Sequence, residues 1–409
     1  MSVPEDSSSL RVEEGRAPTR VRSCSAPSSE TAAEGLTDDL LLEILPRVPA
    51  KSLCHFRCVS KHWRSLIDHP DLRKKLPRTF AGFLYSTTST MNLVVETFLQ
   101  SPVLLATVPG SLCPLISTSL DFLPSHQRLD VLDCCNGLLL CRWYGVSAQI
   151  GEFNYVVCNP ATEEWVALPD SSHGYRVSMT RLGFDPAQSS HFHVFELFED
   201  LHMCPDPGRF GAAVHSSETG RWVHEKFNQP FELPYRYSEE TVFVNSRLHF
   251  HVSGYDGENP TKGIAAVDTE VGTWTNFGVP ADDNHLGAFI QWSQGRMHYF
   301  TFCKDEGNVR LKVYVLQNYE SKEWTLKHNV APFYIFGELD ATFKWDLELV
   351  GIHPECNLIF FTRGDDRDTK LMCYYMDFEQ VKAVCSLKDG KPPYLSYVPL
   401  YMELQSLHM

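Results

Sequence analysis

The sequence predicts an α+β multidomain chain: a small all-α helical hairpin followed by a large all-β, propeller-like domain. Three observations predict it. Apolar residues between Leu36 and Ile67 recur every three or four positions, the period of a helix face. After Arg78 that spacing stops, and short runs of Val, Ile, Phe, Tyr and Leu alternate with Gly, Asp, Asn and Pro turns. Within this second region one strand–turn–tryptophan unit repeats, with its tryptophans 57, 52 and 50 residues apart. A large β-sandwich is the alternative arrangement for the same strands.

A chain of 409 residues that is 43% hydrophobic and 12% aromatic can bury a sizeable core. Its 51 acidic and 36 basic residues give a net charge of −15, but the charge is unevenly placed. Residues 1–35 carry four basic and six acidic side chains, and residues 36–78 carry nine basic against five acidic. From Thr79 onward 23 basic residues face 40 acidic ones, a net −17. An acidic balance argues against dedicated nucleic-acid binding, which needs a phosphate-neutralising surface, and against docking on anionic membrane.

No run approaches the length of about 18 apolar residues that a membrane span requires. The opening MSVPEDSSSL lacks the basic start and apolar stretch of a signal peptide. The expected location is therefore intracellular and soluble, cytoplasmic and/or nuclear. The 13 cysteines are odd in number, irregularly spaced and free of any C-x-x-C pair, which reads as reduced, buried thiols rather than disulfides or a zinc ribbon.

Residues 1–35, rich in Ser, Glu, Arg and Ala, carry too little apolar surface to offset chain entropy and read as a disordered tail. In the hairpin, Thr37 stands at a helix start, with Asp38 and Asp39 placed to complement the dipole. Leu40, Leu41, Ile44 and Leu45 form one apolar stripe, and Pro46 and Pro49 end that helix. Ser52 caps the next, whose apolar positions are Leu53, Phe56, Val59, Trp63, Leu66 and Ile67. About forty residues cannot build a self-sufficient core, yet this piece carries more large apolar side chains than it can cover itself. A partner groove is expected to cover the rest.

The run L-T-D-D-L-L-L-E-I-L…V-P-A-K-S-L…F-R-C-V-S-K-H-W-R-S-L-I closely resembles an F-box along nearly its whole length. The resemblance sets the F-box at 36–78, with Thr37 in place of the usual Pro. It implies docking on a Skp-type adaptor and, through it, on cullin and RING subunits. The implied contacts are Leu36, Leu40, Ile44, Leu45, Pro49, Leu53, Val59 and Trp63.

The repeated unit of the β-region is a strand, then Asn, Asp or Ser, then a polar turn and a bulky residue six positions on. Its instances pair Asn159 with Trp165, Ser216 with Trp222, Asp268 with Trp274 and Asn318 with Trp324. A fifth pairs Asp377 with Ala383. The polar residue is expected to bond its own backbone and open a hairpin. The tryptophan then opens the outer strand and packs on the neighbouring sheet. Residues 79–130, with GFLYS and NLVVETF, are the candidate for a sixth, degenerate blade. The region also resembles the plant F-box-associated domain. Its landmarks are C-C-N-G-L-L-L at Cys134–Leu140, C-N-P-A-T-E-E-W at Cys158–Trp165, G-F-D-P at Gly183–Pro186 and Y-V-P-L-Y at Tyr397–Tyr401. That resemblance implies a substrate-recruiting module spanning 79–409.

No nucleophile elbow, P-loop or dinucleotide-binding glycine pattern occurs. The H-x-H pairs His191/His193 and His249/His251 lack a readable third metal ligand and are read as solvated strand positions. The acidic turns Asp282-Asp283-Asn284 and Asp365-Asp366-Arg367-Asp368 lack the spacing of a calcium loop and read as hairpin tips. No catalytic residue, cofactor or metal is assigned. The expected function is that of a non-catalytic adaptor. Its hairpin binds the Skp–cullin machinery, and its β-domain presents a protein target for ubiquitination through loops at one end. The acidic excess of that domain favours a basic target. Two alternatives are an adaptor-binding regulatory protein outside a ligase, and a ligand-sensing receptor, which would need a dry, aromatic-lined central pocket.

Overall fold

The computed structural model describes residues 37–48 and most of 52–407. Outside it lie 1–36, 408–409 and several internal stretches, the longest being 88–97, 109–117, 200–208, 233–240 and 332–347. The expected tail, Leu36, Pro49, most of NLVVETF, Asp282-Asp283-Asn284 and Asp365-Asp366-Arg367 therefore lie outside the described residues.

The β-region forms six sheets in chain order, a six-bladed propeller. The first to start is incomplete: β1 (Gly82–Ser86) pairs with β3 (Leu104–Thr107), while β2 (Leu99–Gln100) crosses to the next sheet. That next blade runs β4 (His126–Cys135), β5 (Leu138–Gly145), β6 (Asn154–Asn159) and β7 (Glu164–Ala167). The following one runs β8 (Arg176–Gly183), β9 (His193–Glu199), β10 (Arg209–Ser216) and β11 (Arg221–Asn228). Then come β12 (Phe231–Glu232) and β13 (Val242–Val244), both on β14 (Arg247–Asp256), with β15 (Asn259–Asp268) and β16 (Trp274–Gly278). The next blade is β17 (His285–Ser293), β18 (Arg296–Asp305), β19 (Asn308–Asn318) and β20 (Glu323–Val330). The last is β21 (Leu349–Ile352), β22 (Leu358–Arg363), β23 (Thr369–Tyr375) and β24 (Gln380–Lys388). Finally β25 (Lys391–Tyr397) pairs antiparallel with β1 and closes the ring.

Six separate sheets exclude the sandwich, which needs two sheets face to face. They also correct the sixth blade. Residues 79–130 supply only β1 and β3 of it, and its third strand is the C-terminal β25. Residues from His126 already belong to the following blade.

Each pair of neighbouring blades encloses its own apolar cluster. Along β5, Leu138 and Leu140 point to the β8–β11 side, while Leu139 and Cys141 point to the β1 side. On β22, Leu358 and Phe360 face one neighbour, and Ile359 and Phe361 the other. Successive side chains alternate across a strand, so a sheet buried on both faces reads as a continuous apolar run. That is why GLLLC and LIFF show no polar alternation.

The repeated turns behave as their chemistry requires. Asn159 Oδ1 accepts the Ala161 amide at 3.1 Å, and Asn318 Oδ1 accepts those of Glu320 and Ser321 at 2.8 and 3.1 Å. Ser216 Oγ accepts Glu218 N at 3.3 Å, and Asp268 Oδ1 accepts Gly272 N at 2.9 Å. Trp222 Nε1 donates to the Pro169 carbonyl at 2.8 Å and Trp324 Nε1 to that of Gly278 at 3.0 Å, each beyond or at the end of the preceding blade's outer strand. In the last blade the register departs from the expectation. Tyr375 pairs with Gln380 as Asn159 pairs with Glu164, so Tyr375 and Val381 occupy the Asn and Trp places rather than Asp377 and Ala383. Asp377 instead accepts Asn357 Nδ2 at 2.8 Å.

The hairpin's first helix is α1 (Asp38–Ile44), followed by a 3-10 turn over Leu45–Arg47 that holds Pro46. Thr37 occupies the N-cap position in extended backbone but makes no side-chain cap; Asp38 and Asp39 fill the first turn. The second helix is not continuous. The chain turns at Cys58–Val59, and Ser60 Oγ accepts Trp63 N at 3.1 Å to start α2 (Lys61–Ile67). A serine side chain offered to the backbone competes with helix continuation, which an apolar period does not register.

Candidate functional site

Two faces of the hairpin separate. Leu41, Leu45, Leu53, Leu66, Ile67 and Leu72 form its core, with Phe56 and Trp63 packed against it and their rings edge to face at 5.4 Å from each other. Leu40 and Ile44, one turn apart on α1, are 47% and 45% exposed, and Val59 is 66% exposed. Asp38 Oδ1 lies 2.9 Å from His62 Nε2 and ties α1 to α2. Arg64 donates to the Glu403 carboxylate at 2.6 Å, linking α2 to the segment after β25.

The expected adaptor contacts thus divide. Leu40, Ile44 and Val59 are outward and available to a partner. Leu45 and Leu53 are 1% and 4% exposed and hold the hairpin together. Trp63 is half-buried, while Leu36 and Pro49 lie outside the described residues. An apolar stripe at i, i+1, i+4 and i+5 is wider than one interface needs. Its i+1, i+5 pair, Leu41 and Leu45, faces inward.

The propeller offers a second candidate, its central channel. Six inner strands surround a cavity of about 940 Å³. Its walls mix Phe243, Phe289, Trp292 and Tyr394 with Asp133, Arg181, Asp185, Glu348 and Glu355. The ligand-receptor alternative requires a dry, aromatic-lined pocket, whereas these walls combine four aromatic with five charged residues. Asp133 Oδ1 accepts Cys134 N and its Oδ2 accepts Leu182 N, both at 2.8 Å. Asp185 accepts Ala187 N at 3.0 Å and Gln188 Nε2 at 2.9 Å. Arg181 donates to the Thr180 carbonyl at 2.9 Å. Burial raises the Glu348 carboxyl from its ordinary range to about 7. No sequence signal marks this site, because its walls come from six blades.

The H-x-H pair on β14 is not solvated: His249 and His251 are 0% and 8% exposed. His249 Nδ1 donates to the Val242 carbonyl at 3.0 Å, leaving Nε2 to accept the Tyr319 hydroxyl at 2.7 Å. His191 precedes β9 and so does not share a strand face with His193. Among the described residues no group of three or more His, Cys, Asp or Glu is arranged to hold a metal. None of their helices is long and apolar enough to cross a membrane. None of the nine described cysteines forms a disulfide, and four of them are buried.

Comparison with known proteins agrees with both parts. An F-box domain model matches residues 34–75. "F-box protein At5g07610" of Arabidopsis thaliana is 26% identical over 324 residues, covering 72% of this chain and 70% of that protein. "F-box protein At5g49610", also from Arabidopsis thaliana, is 25% identical over 312 residues, covering 72% and 78%. Among solved structures, TolB from Acinetobacter baumannii is similar at a TM-score of 0.41 and 10% identity, covering 78% of this chain and 67% of that one. Residues 105–356 match the family described as "F-box protein At3g26010-like, beta-propeller", and the chain belongs to that family of F-box proteins.

Proposed function

We propose that this protein is the substrate-recognition subunit of a Skp–cullin–F-box ubiquitin ligase. In this reading the F-box spans 36–78 and binds the Skp adaptor, and residues 79–409 hold the target. The observation that carries it is the outward apolar trio of Leu40, Ile44 and Val59 within the F-box match. Apolar side chains this exposed on so small a domain favour a partner that covers them. F-box domains bind Skp-type adaptors generally, and the link to cullin and RING subunits follows from that.

The chain contributes positioning rather than bond chemistry: it holds the target near the transferring enzyme, so reaction is favoured by proximity. A cytoplasmic or nuclear location and a basic target, suited to a domain of net charge −17, complete the proposal. Co-purification tests it. Wild-type protein should retain adaptor and cullin, and a Leu40→Asp, Ile44→Asp double variant should lose both. Retention of the adaptor by that variant would overturn the assignment.

A further inference from the structure

Among the described residues, the central channel of the propeller carries more acid than they pair. Its lining groups include four carboxylates and one guanidinium. Asp133 and Asp185 are committed to amide donors and Arg181 to a backbone carbonyl. Glu348 differs. Its backbone N–H donates to Thr362 Oγ1 at 3.2 Å, but among the described residues no donor is hydrogen-bonded to its carboxyl. It immediately precedes the inner strand β21, on the channel wall. A half-buried carboxyl with no donor among the described residues is costly to ionise, and that cost is recovered when a cation enters beside it.

We propose that the channel receives a cationic side chain, lysine or arginine, of the recruited protein, with Glu348 as its counter-ion. Three features select this occupant. The cavity, about 940 Å³, has room for an extended side chain with part of its backbone. Phe289 and Trp292 supply aromatic surface for the aliphatic stem and for cation–π contact. The surrounding domain, at net −17 from Thr79 onward, draws cations towards the ring. The proposal rests on the reading of the propeller as the recruiting module, and it names what that module recognises.

Glu348 titrates near 7, so the site holds its charge at pH 8 and loses most of it by pH 6. The other titratable and charged groups facing the channel are Asp133, Cys134 and Cys135 from β4, Arg181 and Asp185 from β8 and its turn, Glu355 after β21, and Tyr394 from β25. Burial pushes Tyr394 to high pH and the Cys134 thiol upward, so neither changes charge in that window.

The test uses the full chain co-purified with its Skp-type adaptor and four fluorescein-labelled peptides, Gly-Ser-X-Ser-Gly with X as lysine, arginine, norleucine or glutamate. At pH 8 the lysine and arginine peptides should bind about ten-fold or more tighter than the norleucine peptide, and the glutamate peptide weakest. In Glu348→Gln that preference should collapse. In the wild type it should shrink several-fold from pH 8 to pH 6, a readout that needs no variant to fold. Equal binding of lysine and norleucine, no binding of any peptide, or a lysine preference unchanged in Glu348→Gln would overturn the proposal. Loss of adaptor retention alongside an intact lysine preference would instead overturn the ligase reading and leave the channel assignment standing.

Discussion

Asn159 Nδ2 donates to the carbonyl of Leu400 at 2.8 Å, joining the end of β6 to a residue 241 positions further along the chain. The same side chain accepts Ala161 N at 3.1 Å, so one buried amide both starts a blade turn and fastens the C-terminal segment. Nearby, Gly137 has φ +91, and a Cβ there would meet Leu400 and the Val398 carbonyl at 2.6 Å. The Asn136-Gly137 turn, with both residues at positive φ, lets the tail lie against it.

Replacing Asn159 with Asp keeps the turn acceptor and removes the donor to Leu400. It should cost about 1–3 kcal/mol, read as a lower denaturant midpoint. Asn318→Asp is the control. That side chain is exposed and only accepts, so the exchange should change stability by less than about 0.5 kcal/mol.

The tryptophan clasps predict a second series. Trp222→Phe and Trp324→Phe keep an aromatic ring but lose the bonds to the Pro169 and Gly278 carbonyls together with part of the indole packing. Each should cost about 1–2 kcal/mol in equilibrium unfolding, and the alanine variants distinctly more. Unchanged midpoints in the phenylalanine variants would show that the clasps add nothing beyond packing.

Within the F-box, exposure separates binding from folding. Leu40→Asp with Ile44→Asp should abolish adaptor capture while helix content and protease resistance stay as in the wild type, because both positions face water. Leu45→Ala or Leu53→Ala should destabilise the hairpin by about 2–5 kcal/mol, and capture should fall because the domain melts.

Burial holds His193, His215, His249 and His298 down to about 4, against an ordinary 6.5. The unfolded chain therefore takes up protons near pH 6.5 that the folded chain refuses. Stability contributed by the neutral rings is complete above about 6.5 and is lost as pH falls towards 4. The melting temperature should drop clearly between pH 7.5 and pH 5, and His215→Phe should reduce the slope. A flat profile would contradict neutral burial.

Glu348 runs with the opposite sign. Its folded carboxyl is raised to about 7 by burial, so the folded state holds a proton that the unfolded state releases near 4.5. Its cost is absent below about 4.5 and grows as pH rises to about 7. Glu348→Gln should stabilise the protein by about 1–3 kcal/mol at pH 8 and leave it unchanged at pH 4, as read by thermal melts.

The two-part organisation, the hairpin core and the propeller class were legible because each rests on local rules. Helical spacing marks Leu40, Leu41, Ile44 and Leu45 as one apolar stripe and Leu66 and Ile67 as part of the facing one. The Asn, Ser and Asp turns bond within a few residues, and four of the five repeats have the register that local spacing predicts. The fifth slipped by two because Asp377 imitates the turn acid while the strand pairing is set by Tyr375 and Gln380. Which leucine faces a partner and which faces its own hairpin was not legible, since Leu40 and Leu41 differ only in what packs against them.

By itself the sequence determined the switch from helical to strand-rich chain and four of the five repeated turns, because backbone propensity and hairpin chemistry act over a few residues. The tertiary structure alone decided that β1 and β3 wait for β25, that Asn159 holds Leu400, and that Glu348 stands on the channel wall. Those relationships join positions tens to hundreds of residues apart. They are fixed only when six blades close into a ring and water is excluded between them.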